Sequence, residues 1–89
     1  MQLDGPEPTR GEVRKQLQDL VAGTLTPGEA SDWAGPWITE EAGEVQDELV
    51  WEALQNLWGA DMLTGPGKFL YGPLDFQAWL ADFEARLKP

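Results

Sequence analysis

Residues 30–38 read Ala-Ser-Asp-Trp-Ala-Gly-Pro-Trp-Ile, two tryptophans four positions apart around a glycine-proline break. Ala30, Trp33, Ala34 and Trp37 recur at i, i+3, i+4 and i+7, which is one face of a helix. The two indoles either line a ligand site or build the core of a small domain. The spacing favours core, because the alanines between them let a second helix approach closely. Upstream, Thr26-Pro27-Gly28-Glu29 has the Thr-x-x-Glu form of a capping box, with proline at N1 where its missing N–H costs nothing. Pro36 removes a backbone donor and disfavours helical geometry at Gly35, so the helix is expected to end near Gly35 or to kink there and continue briefly. Trp33 precedes that break and is assigned to the core. Trp37 lies beyond it, beside an acidic run, and is placed at the rim of a partner surface.

Working outward, residues 1–8 hold two prolines, a glycine and alternating acids without periodicity, and read as a flexible lead-in. Residues 9–89 read as one domain. Thr9-Arg10-Gly11-Glu12 is a second capping box, followed by Val13, Leu17, Leu20 and Val21 on one helical face, with Gly23 as the stop. Past the acidic connection 39–46, Asp47 or Glu44 caps a helix whose face is Val50, Leu54, Leu57 and Trp58, with Trp51 beside it; Gly59 ends it. Residues 60–72 hold three glycines and a proline and read as a loop, with Phe69-Leu70-Tyr71 as one short extended piece. Pro73 opens a last helix with Phe76, Trp79, Leu80, Phe83 and Leu87 in register. The expected fold is all-α, a compact bundle of about four short helices with a longer loop at 60–72. At 89 residues without cysteine, five Trp, three Phe and one Tyr are expected to supply much of the buried surface, with Trp33, Trp58 and Trp79 meeting in the core.

Histidine and cysteine are absent. That excludes Ser-His-Asp and Cys-His catalysis and zinc sites built on imidazole or thiolate. A glycosidase-like pair drawn from Asp32 and Asp75 needs a cleft that so short a chain is not expected to form. Glu40, Glu41, Glu44, Asp47 and Glu48 offer at most weak divalent binding, since no Ca²⁺-loop spacing is present. Gly65-Pro66-Gly67-Lys68 lacks the spacing of a phosphate loop. The reading is therefore of a non-enzymatic protein with no cofactor and no metal. No apolar run reaches the ~20 residues of a membrane span, and the first residues lack the features of a secretory signal, so a cytoplasmic protein without membrane contact is expected.

The net charge of −10 is unevenly spread. No basic residue lies between Lys15 and Lys68, an interval that holds Asp19, Glu29, Asp32, Glu40, Glu41, Glu44, Asp47, Glu48, Glu52 and Asp61. Phosphate backbones call for clustered Lys and Arg, so nucleic acid is not expected as a partner. Glu44, Glu48 and Glu52 are spaced four apart, an unfavourable arrangement on a helix, and no cation is interleaved to relieve them. A basic protein surface would relieve them and speed association by steering. The expected partner-binding residues are Glu40, Glu41, Glu44, Asp47, Glu48 and Glu52, with Asp32, Trp37 and Asp61 at the edge.

From Gly23 onward the chain resembles a group of small acidic bacterial proteins. The stretches that carry the likeness are G-T-L-T-P-G-E-A-S-D-W-A-G-P-W (23–37), V-W-E-A-L-Q-N-L-W-G-A-D (50–61) and F-L-Y-G-P-L-D-F-Q-A-W-L (69–80). Where that pattern has Ser or Asp capping the last helix, this chain has Gly72. Proteins of this kind are similar to immunity proteins of bacterial toxin systems. The resemblance implies an inhibitor that masks a basic, nuclease-like toxin and implies no catalytic residue. The alternative is a structural or adaptor domain whose acidic surface is merely solvated.

Overall fold

A computed structural model describes residues 8–39 and 45–87. Four helices, α1 (Arg10–Ala22), α2 (Pro27–Ile38), α3 (Glu48–Trp58) and α4 (Pro73–Leu87), carry most of the chain. Between α3 and α4 lies a small antiparallel hairpin of β1 (Leu63–Gly65) and β2 (Lys68–Phe69). The molecule is thus mostly helical, and the stretch expected as a loop contains two short strands.

Both capping boxes form. The Thr9 hydroxyl accepts from the Glu12 N–H and the Glu12 carboxylate accepts from the Thr9 N–H; Thr26 and Glu29 repeat the exchange. Asp47, not Glu44, caps α3, its Oδ1 accepting from the Leu49 N–H at 3.0 Å. At α4 the cap position falls on Gly72, which has no side chain to offer. Asp75 instead reaches back to the Gly72 N–H at 2.8 Å, half of a capping box and a favourable charge in the first turn.

α2 runs through Pro36 to Ile38 and does not end at Gly35. A residue before proline avoids the helical region chiefly because its Cβ meets the proline ring, and Gly35 has no Cβ. The Thr39 N–H and hydroxyl then close on the Gly35 carbonyl at 2.9 and 3.0 Å.

The hairpin is built by its turn. Pro66 and Gly67 occupy the two central positions, and Gly67 has φ 70°, the left-handed value that a type II turn demands after its proline. Leu63 pairs with Phe69 and Gly65 with Lys68, with an irregularity between, and the Leu70 N–H donates to the Met62 carbonyl at 2.7 Å.

α2 packs most extensively on α3, and α1 on α4, with α1 also touching α3. The core is aliphatic: Val13, Leu17, Leu20, Ala30, Ala34, Val50, Ala53, Leu54 and Leu57, closed by Phe76 and Phe83. This corrects the expectation of a tryptophan core. No Trp is fully buried; Trp33, Trp37 and Trp79 pack around the aliphatic centre, and Trp58 is 42% exposed. Two thin helix layers leave little room for an indole to be covered on every side, so the rings lie over the core as a partial cover.

Candidate nucleic-acid interface

The acidic residues singled out from the sequence do not act as one unpaired face. Asp47 takes a bidentate bond from Arg10 of α1, Nε to Oδ2 at 2.7 Å and Nη2 to Oδ1 at 3.1 Å. Hydrogen bonding to Arg10, aided by backbone N–H groups at the helix start, holds the Asp47 carboxyl below the usual carboxylate range, and Asp47 in turn raises the Arg10 pKa. Glu52 is bonded by Arg86 of α4, which lowers its pKa, and Arg86 also approaches Asp82 at 3.5 Å. The cations missing from the acidic interval are therefore supplied from the two ends of the chain. Spacing along the sequence could not reveal this, because Arg10 and Arg86 lie 37 and 34 residues from their partners. Glu48, Asp32 and Asp61 are exposed. Glu40, Glu41 and Glu44 lie outside the described residues.

Trp37 is less a rim residue than expected. Its ring stands 5.2 Å from that of Trp33 at a tilt of 52°, and its Nε1 is sealed from solvent without an acceptor. Trp58 crosses from α3 onto α2, where its ring would lie 3.8 Å from a Cβ placed at Gly35. The two tryptophans of the ASDWAGPWI stretch thus pack against each other and against the core. An open groove beside Trp33 is lined by Thr9, Glu12, Lys15 and Gln16, but Thr9 and Glu12 are spent on the cap and Lys15 on Asp19 at 2.7 Å.

The exposed apolar surface lies elsewhere. Trp58, Met62, Leu63, Phe69, Leu70 and Leu74 are the large hydrophobic side chains left open among the described residues, and all fall between residues 58 and 74. The stretch between Asp61 and Asp75 contains no carboxylate and one cation, Lys68. Arg10, Arg14, Lys15 and Arg86 are all held in ion pairs, so Lys68 is the one basic side chain outside a pair among the described residues. The sequence did carry a signal for this hairpin: Pro66-Gly67 flanked by Leu63-Thr64 and Lys68-Phe69 is turn chemistry between short extended runs.

A family model described as "YxzC DNA-binding protein" matches residues 3–83, nearly the whole chain. The chain belongs to this family. The "Uncharacterized protein YxzC" of Bacillus subtilis (strain 168) is 29% identical over 72 residues, which cover 81% of this chain and 59% of that protein. The chain thus spans a little over half the length of this curated relative. No solved structure matches it.

Membership overturns the reading of a protein-binding immunity module that masks a basic toxin, and with it the expectation of a basic protein partner and no nucleic acid. A charge count is an incomplete guide to nucleic-acid contacts. Acidity counts against tracking of phosphates, but base edges and base faces are met by apolar and hydrogen-bonding groups that a charge count does not register. Among the described residues no helix is long and apolar enough to cross a membrane, and no group of three or more His, Cys, Asp or Glu is placed to hold a metal ion.

Proposed function

We propose that this chain is a non-enzymatic DNA-binding protein whose contacts are made mainly to bases and little to phosphates. The observation that carries the reading is the family match across residues 3–83. The manner of binding follows from electrostatics. With a formal net charge of −10 and four of the five described cations engaged in internal ion pairs, few phosphates are neutralised on binding. Since the logarithm of affinity falls by about 0.9 per neutralised phosphate for each unit of log salt, the slope is expected near −1 or −2 and not the steep value of a basic protein.

Fluorescence anisotropy of labelled oligonucleotides across a salt series tests this. Saturable binding with a shallow salt slope is the expected result. A flat titration up to about 100 µM protein at low salt, beyond the weak end of non-specific DNA binding, would overturn the reading.

A further inference from the structure

We infer that the hairpin Leu63–Phe69 is the DNA-contacting element, with Phe69 stacking on an unpaired base and Lys68 beside it on a phosphate. The inference rests on the DNA-binding reading above and adds to it a place and a class of DNA.

Two observations converge on the hairpin. First, it carries two of the large hydrophobic side chains left open among the described residues, Phe69 at 55% and its cross-strand partner Leu63 at 54%, and Met62 and Leu70 flank it in the chain. Cross-strand partners share a face of a two-stranded ribbon, so Leu63 and Phe69 form one apolar edge. Second, residues 62–74 hold no carboxylate, and within them stands Lys68, the one cation outside an ion pair among the described residues, so the hairpin itself sets no negative charge against a phosphate.

Unpaired DNA is the class these features fit. A projecting Phe inserted in a duplex must unstack a base step, which costs a few kcal/mol, whereas an unpaired base already presents its face. A single strand also has a lower charge density than a duplex, so the acidic body repels it less. The two-residue Pro66-Gly67 turn makes the hairpin short and stiff, which holds Phe69 outward at little entropic cost on binding.

The test compares wild type, Phe69→Ala, Phe69→Trp and Lys68→Met on single-stranded and duplex oligonucleotides of one sequence. Melting curves establish that each variant is folded, and light scattering gives the oligomeric state. Expected is a preference for the single strand, a loss of about tenfold or more in Phe69→Ala, retention in Phe69→Trp, and a flatter salt slope in Lys68→Met. Wild-type binding that Phe69→Ala and Lys68→Met leave unchanged overturns the hairpin assignment while the DNA-binding reading stands. A duplex preference overturns the class of DNA. A dimer that Phe69→Ala dissociates, with DNA affinity unaltered, means that a second copy covers the patch and also overturns the assignment. Absence of wild-type binding to either oligonucleotide overturns both readings.

Discussion

Asp47 serves two structures at once. It caps α3 through Leu49 and clamps Arg10 of α1, so a single carboxylate joins the start of one helix to the start of another. Its pKa in the fold is depressed, mainly by Arg10. The stability it contributes is therefore fully present above the ordinary carboxylate value of about 4 and is lost as pH falls through the lower, folded value. Asp47→Asn keeps a good capping group but removes the charge. It is expected to melt a few degrees below wild type at pH 7, with the gap closing below about pH 4; thermal melts of both proteins across that range check it. A gap that persists at pH 3 would assign the effect to the cap instead of the ion pair.

At the scale of the element, α2 holds the least usual device, a helical Gly35-Pro36 pair. Pro36 cannot donate to the Asp32 carbonyl four residues back, and Gly35 lets the backbone remain helical ahead of the ring. Pro36→Ala restores the donor and relieves the ring's clash with the preceding turn. Only one short turn follows, so the expected gain is about 1 kcal/mol, below the ~3 kcal/mol of a mid-helix proline. Urea denaturation checks the sign; a lower midpoint in Pro36→Ala would mean that the packing of α2 on α3 depends on the proline. The helices themselves were largely legible in the sequence. Thr9, Thr26 and the 13-17-20 and 76-79-80-83 spacings are local signals read within a turn or two. The hairpin is less legible, because Leu63-Thr64-Gly65 is too short for its alternation to register and Pro66-Gly67 alone does not tell a hairpin turn from a loop.

For the whole molecule, the balance of charge is decided by where the ends of the chain fold back. Arg10, Arg14 and Arg86 all come from the terminal helices, and each grips a carboxylate on a neighbouring helix. These pairs leave the net charge of −10 unchanged, and the unpaired acids repel one another through solvent. Salt screens this repulsion and the exposed ion pairs alike, but acids outnumber bases by 16 to 6. The melting temperature is therefore expected to rise by several degrees between about 20 mM and 500 mM NaCl. Calorimetry at the two salt levels checks it, and a fall would show that the ion pairs outweigh the net repulsion.

By itself the sequence determined the helices, two of their capping boxes and the absence of imidazole and thiolate chemistry, because capping and periodicity act over three or four residues and composition needs no fold. Only the tertiary structure decided which acids are neutralised and that the tryptophans of residues 30–38 lie over an aliphatic core. The interhelix ion pairs join residues more than thirty apart, and a local pattern carries no record of which distant side chain will arrive beside it.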